Sequence, residues 1–262
     1  MFRLTEGDIE IIRQVARHRL IRSTHVASLV GRSLDRTNDR LCLLFHAGYI
    51  DRPRAQLDYY PTMGSAPMLY ALANQGARLL KERDGAAFTN IEWSRKNREA
   101  GRPFIEHQIE IVNFRVALQC AMRDRPDLRL IEPAKMIADT LRSSQSSDAS
   151  FALRAKVSHR GGTREVGVVP DLVFGIVFPD GSRRNFMVEI DRGTMPVRRS
   201  DPTKTSFEGK MRTYLSAYAG KQHATSTSKH YITELRVKQR EDIVTTYNKQ
   251  DRGQHCERNK FH

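Results

Sequence analysis

The stretch from Val168 to Thr194, VVPDLVFGIVFPDGSRRNFMVEIDRGT, constrains this chain more than any other, because it sets three acidic side chains on an otherwise apolar pair of strands. Leu172, Phe174, Ile176 and Phe178 alternate with Asp171, Val173, Gly175 and Val177, and Phe186, Val188 and Ile190 alternate with Met187, Glu189 and Asp191. A period of two predicts strands. Pro179-Asp180-Gly181-Ser182 between them is turn chemistry, with Gly181 free to take a positive φ, so a hairpin is the simplest connection. A three-residue loop, Asp180-Gly181-Ser182, pairs Pro179 with Arg183 and sets Asp171 opposite Asp191, one diagonal step from Glu189. A two-residue loop puts Asp171 on the other face. Carboxylates crowded on one sheet repel each other and persist where a cation or a basic partner compensates them. The expected cation is Mg²⁺, or Mn²⁺, held by Asp171 and Glu189.

Charge points to the partner. The 262 residues carry a formal net charge of +14, with a pI near 10.0, and such an excess of Arg and Lys favours a polyanion, of which nucleic acid is the commonest. No apolar run approaches a transmembrane length, and MFRLTEGDIE has charges where a signal peptide needs its apolar segment, so neither membrane nor export is expected. Cys42, Cys120 and Cys256 lie far apart without C-x-x-C spacing, which excludes a disulfide framework or zinc ribbon and leaves a cytoplasmic protein. With no G-x-x-x-x-G-K-[ST] loop, no nucleotide cofactor is expected, nor any organic one.

The first third reads as helices. Thr5 and Asp8 resemble a capping box before Ile9, Ile12, Val15 and Ala16, predicting a helix from about Glu6 to Arg19. Ser23 or Thr24 caps a short second helix ended by Gly31, and Ser33 a third through Leu41, Leu44 and Phe45. Tyr49-Ile50-Asp51, a turn-rich segment from Pro53 to Pro67, and Met68 to Leu72 then read as a wing, before a fourth helix capped by Asn74. LCLLFHAGYIDRP and LYALANQGARLL resemble the winged-helix domains of bacterial DNA-binding proteins. That resemblance implies that helix 3 enters the major groove with Arg32, Arg36, Thr37, Asn38 and Arg40, and that Arg52 and Arg54 sit in the wing near phosphates. A helix-turn-helix protein reading a palindrome would be a homodimer.

Residues 1–85 are thus expected as a winged helix-turn-helix domain, 86–103 as a basic linker packed down by Trp93, 104–220 as a second domain, and 221–262 as a basic, partly disordered tail. The second domain opens on a long helix with Ile105, Ile109, Val112, Val116 and Cys120 as its buried stripe. His107 beside it matches neither H-E-x-x-H nor H-x-x-E-H, and reads as a helix histidine. Leu128 to Ile131 predicts a first strand, Asp139 to Ser150 a Ser-rich loop, and Phe151 to Val157 with Glu165 to Val169 two strands around Gly161-Gly162. Beyond the hairpin come a basic loop, a helix from about Ser206 to Ala219 carrying Lys210, Tyr214 and Tyr218, and a last strand at Leu235-Arg236-Val237.

Helix, three strands, helix, strand, with Asp171 starting one central strand and Glu189 ending the next, resembles the PD-(D/E)XK nuclease fold. The expected class is therefore α+β: a winged helix-turn-helix followed by a restriction-endonuclease-like α/β domain with a central mixed sheet flanked by helices. Pro170-Asp171 and Glu189-Ile190-Asp191 resemble its motif, except that the terminal lysine has become Asp191. A lysine stabilises charge on the phosphate and an aspartate cannot. The resemblance implies catalytic roles for Asp171, Glu189 and Asp191, with Lys210 as a migrated lysine and Glu106 at the start of the long helix as a further carboxylate. From about residue 4 to 220, with EIDRGTMP the most distinctive piece, the chain resembles the replication-relaxation family of plasmids and mobile elements. This implies a double-stranded origin DNA partner, other replication or relaxosome proteins, and initiation by relaxing DNA. Three functions follow: a DNA-binding initiator or accessory protein, a Mg²⁺-dependent endonuclease or nickase, or a structural pairing of the acids with Arg192 or Arg198.

Overall fold

The computed structural model describes residues 3–56, 66–86, 88, 92–133, 135–136, 153–159, 162–201, 204–220, 232–238 and 244–246. They form an α+β protein of two units, Met1–Arg123 and Asp124–His262.

The first unit starts with the expected capping box: the Asp8 N–H donates to Thr5 Oγ1 at 3.3 Å, and the Thr5 N–H donates to Asp8 Oδ2 at 2.7 Å. Helix α1 (Glu6–His18) ends where Arg19 takes a φ of +64°. It buries Ile11, Ile12 and Val15 completely, each worth about 1.5–3 kcal/mol over exposure. Strand β1 (Leu20–Arg22) follows; three residues are too few to show a period, so it was not expected. Helix α2 (Ser23–Val30) is closed by Gly31 at φ +66°, and helix α3 (Leu34–His46) leads to β2 (Ile50–Asp51) and β3 (Leu69–Leu72). The order is β1-β3-β2, antiparallel throughout, with Leu20 opposite Ala71 and Ile50 opposite Leu72. Residues 57–65 of the expected wing lie outside those described.

Three caps differ from expectation. Helix α2 already starts at Ser23, with Arg22 at its cap, and Ser33 precedes α3 without a side-chain bond. Asn74 lies inside α4 (Asn74–Asp84), and its Oδ1 accepts the Ser94 N–H at 3.1 Å. That bond ties down α5 (Trp93–Glu99), which occupies much of the stretch expected as linker. Asn97, buried on α5, donates to the Leu72 carbonyl at 2.8 Å and accepts from Arg19, while Trp93 packs against the core as expected.

Helix α6 (Arg102–Arg123) belongs to the first unit rather than opening the second. Its stripe explains why: Ile105 and Ile109 pack with Leu20, Leu69 and Ala71, and Val112 and Val116 join Ile12, Leu41 and Leu44. Arg115 donates to the Arg17 carbonyl at 2.8 Å and Arg123 to those of Ser28 and Leu29, so both arginines satisfy open helix ends.

The second unit is built on a mixed sheet in the order β10-β9-β8-β7-β4. Strands β4 (Arg129–Ile131), β7 (Leu172–Val177) and β8 (Arg183–Ile190) run antiparallel in succession. Helix α7 (Phe207–Ala219) follows, and β9 (Ile232–Lys238) is parallel to β8. Strands β9 and β10 (Val244–Thr246) fall in the stretch expected as a tail, so that stretch supplies a sheet edge. Strands β5 (Leu153–His159) and β6 (Gly162–Val168) pair only with each other, as a separate ribbon. The expected Ser-rich loop, 139–150, lies outside the described residues. Burial of every residue from Asn185 to Ile190 marks β8 as the central strand.

The hairpin register differs from the expected one by two residues. Phe178 donates its N–H to the Ser182 carbonyl at 2.9 Å, and Gly181, at φ +78°, donates to the Phe178 carbonyl at 2.9 Å. The loop is therefore Pro179-Asp180-Gly181. Proline has no N–H with which to close a pair against Arg183, so it moves into the turn, where its fixed φ suits it. An even slip keeps every side chain on its face but changes its partner. Leu172 faces Val188, and the next rung sets Asp171 against Glu189 rather than Asp191.

Candidate acidic site and nucleic-acid interface

Glu189 ends the central strand and is only 4% exposed. Its carboxylate is shared by two donors from the first two turns of α7: Lys210 Nζ reaches Oε2 at 2.8 Å, and the Tyr214 hydroxyl reaches Oε1 at 2.5 Å. Lys210 and Tyr214 stand four residues apart, on one face of the helix. Helix α7 is started by Ser206, whose Oγ accepts the Gly209 N–H, and the carbonyls of Pro196 and Val197 take the N–H groups of Phe207 and Glu208. The loop thus fixes the helix end carrying Lys210. Across the sheet, Asp171 Oδ2 accepts the Ile190 N–H at 2.8 Å, which holds that carboxylate beside Glu189.

The electrostatics record the crowding. Burial pushes the Glu189 carboxyl above its ordinary value, and the charge of Asp171 pushes it further, against the bonds from Lys210 and Tyr214. Burial also raises the Tyr214 hydroxyl, with the neighbouring Glu189 charge adding to it. Tyr214 is consequently a neutral donor at any ordinary pH.

Of the other acids read from the sequence, Asp191 is turned into its own loop, where Oδ1 accepts the Gly193 N–H at 3.0 Å. Glu106 lies on α6 in the first unit and accepts from Arg102 Nε at 3.0 Å. Arg198, one of the two arginines expected to pair with the acids, binds Glu208 instead, at 3.0 Å. Among the described residues no group of three or more His, Cys, Asp or Glu could hold a metal, so Asp171 and Glu189 stand as a pair. Tyr214 was missed as part of the site. Its position four residues after Lys210 was the signal that could have found it.

In the first unit, Arg36 and Asn38 are exposed on α3, and Arg54 is exposed on a short helical turn (Arg54–Gln56) after β2. The other four are placed differently. Thr37 is fully buried, its hydroxyl donating to the Ser33 carbonyl, so it is not on the outer face. Arg40 also leaves that face: it grips buried Asp8 through Nε at 2.7 Å and a terminal nitrogen at 2.5 Å. Arg32 is exposed but lays its guanidinium where a Cβ on Gly7 would stand. Arg52 lies over the rings of Phe45, at 4.3 Å, and Tyr70, at 5.2 Å, which stiffens the base of the segment that joins β2 to β3. A groove between α2, α3 and this base is lined by Ser23, Thr24, Asn38, Asp39, Arg52 and Tyr70. The outward side of α3 carries Asp35 and Asp39 as well as Arg36, a more mixed surface than an arginine ridge.

No helix among the described residues is long and apolar enough to cross a membrane. The replication-relaxation family profile matches residues 12–235, and no curated protein and no solved structure matches the chain. The chain belongs to the replication-relaxation family, which links it to replication or relaxation of plasmid or mobile-element DNA.

Proposed function

We propose that this replication-relaxation protein binds double-stranded DNA at a replication origin through its first unit, with α3 in the major groove. The observation that carries the reading is the arrangement of three helices, α1 to α3, followed by β2 and β3 in the sheet order β1-β3-β2. That arrangement supports reading the first unit as a winged helix, whose second and third helices form the helix-turn-helix. Arg36 and Arg54 then serve as phosphate ligands, and Asn38 as a base reader, since its amide suits adenine in the major groove. The net charge of +14 supports a polyanionic partner. The test is a mobility shift on duplexes from the protein's own origin across a salt series. Binding that weakens steeply with salt and prefers origin DNA is expected; absence of any shift at low salt would sink the proposal.

A second reading, Mg²⁺-dependent strand cleavage, is favoured by a separate observation: Asp171, Glu189 and Lys210 come together at one end of the β7–β8 hairpin. Lys210 on α7 supports a lysine that has migrated from its place after Glu189, and three antiparallel strands followed by a crossover helix and a parallel strand are compatible with a PD-(D/E)XK domain. Two hard oxygen ligands fit Mg²⁺, which commonly takes one or two carboxylates and leaves its remaining positions to water and substrate phosphate. Asp171 and Glu189 would hold the ion, and Lys210 would face the phosphate. The chemistry such an ion supplies is activation of water and neutralisation of developing charge. Supercoiled origin plasmid incubated with Mg²⁺ or EDTA tests this reading. Open circles are expected with Mg²⁺, and none with EDTA or with Asp171→Asn.

A further inference from the structure

Both oxygens of Glu189 already have a donor, so a cation sharing this carboxylate must compete with what is there. The two donors are unequal. Tyr214 is 3% exposed and packs in the core with Val173, Met187 and Ala217, so its hydroxyl cannot withdraw without opening a hole beneath the sheet. The Lys210 side chain is 25% exposed, on a flexible four-carbon stem in the first turn of α7. It can reach solvent by rotating about its own bonds.

We infer that Lys210 is an exchangeable counter-ion and Tyr214 a fixed positioning residue, so that Glu189 opens to a divalent cation only while a DNA phosphate holds Lys210. The inference rests on the metal-dependent reading and names how that site is regulated. Glu189 lies beside Asp171 and takes the Lys210 ammonium on Oε2, so Lys210 answers part of the charge of the acid pair. A divalent ion placed on Glu189 beside that ammonium meets like charge. A phosphate removes the conflict twice over, by drawing Lys210 away and by offering further oxygen ligands to a site with two carboxylates among the described residues. DNA and metal are thereby coupled, and the coupling is reciprocal. Tyr214 remains on Oε1 in both states and holds the carboxylate in one rotamer.

The test is Mn²⁺ binding to the full chain, followed by the paramagnetic resonance signal of free Mn²⁺, with and without a short origin duplex. Binding to the duplex alone is subtracted. The wild type is expected to bind Mn²⁺ about tenfold more tightly with duplex than without, within the usual range of coupling between sites. Lys210→Met is expected to bind without duplex about as tightly as the wild type does with it, and to gain less than about threefold from the duplex. Tyr214→Phe should weaken Mn²⁺ binding in both conditions and leave the ratio intact. Lys210→Gln serves as a second variant, judged by the same ratio, if the Met protein does not fold. A wild type that binds Mn²⁺ equally with and without duplex, or a Lys210→Met protein that keeps the tenfold ratio, overturns the inference while leaving a metal site. No Mn²⁺ binding to the wild type even with duplex overturns the metal-dependent reading itself.

Discussion

Asp8 in the first unit and Glu189 in the second are both buried carboxylates served by one hydroxyl and one cation, yet their acidities move in opposite directions. Burial raises Asp8, but the bonds from Arg40 and Thr5 outweigh it, and the carboxyl ends below its ordinary value. Burial raises Glu189, and there the bonds from Lys210 and Tyr214 do not prevail. Burial weighs more heavily on Glu189, and the neighbours differ as well. Asp8 takes a two-pronged guanidinium and both the N–H and the hydroxyl of Thr5. Glu189 has a single ammonium and the charge of Asp171 beside it. A buried carboxylate whose charge is fully answered is architecture. One whose donors do not outweigh its burial is a candidate for a further cation, which is why the metal-dependent reading is placed in the second unit rather than the first.

The contrast can be broken most forcefully at Asp8. Asp8→Ala removes the α1 cap and strands Arg40, and is expected to cost about 3 kcal/mol in denaturant unfolding. A cost within experimental error would mean that Asp8 is no better satisfied than Glu189. Next comes Lys210→Met, which leaves Glu189 with Tyr214 alone among its two donors. A loss of about 1.5 kcal/mol near pH 8 is expected, shrinking at acid pH where Glu189 takes up a proton.

The third prediction concerns pH itself. Glu189 has a folded pKa above its ordinary 4.5, so the native state holds the proton longer than the unfolded state. Its contribution to stability is present below pH 4.5 and is lost as pH rises through the folded value. Asp8, lowered from 3.8, contributes stability present above 3.8 and lost as pH falls through its lower folded value. Thermal unfolding of Glu189→Gln against the wild type should therefore show the variant gaining as pH rises. Asp8→Asn should show the wild type's advantage shrinking only in strong acid. Equal slopes for the two pairs would erase the distinction. The smallest effect is expected at the DNA: Arg36→Ala and Arg54→Ala should each weaken duplex binding roughly threefold and lower the salt slope by about one. Arg40→Ala should instead act on stability, because its guanidinium is held by Asp8.

Much of this arrangement was legible in the residues. The alternation from Leu172 to Ile190 located the hairpin, the spacing of Ile105, Ile109, Val112 and Val116 located the buried stripe of α6, and Lys210 was expected near the acids. What alternation could not decide was register, since Pro179 could lie in the loop or flank it, and only its missing N–H settles the matter. Nor could helical spacing tell which unit α6 packs against, because an apolar stripe fits any apolar surface. The arginines of α3 looked alike in sequence. Arg40 differs from Arg36 through its grip on Asp8, thirty-two positions away, and that pairing is tertiary.

The most direct measurement is a titration of the two carboxyl carbons, Asp8 Cγ and Glu189 Cδ, followed by carbon NMR in one sample of the full chain. Asp8 is expected to titrate below 3.8 and Glu189 above 4.5. A Glu189 midpoint at or below 4.5 would contradict the account, because Lys210 and Tyr214 would then answer its charge as completely as Arg40 and Thr5 answer that of Asp8.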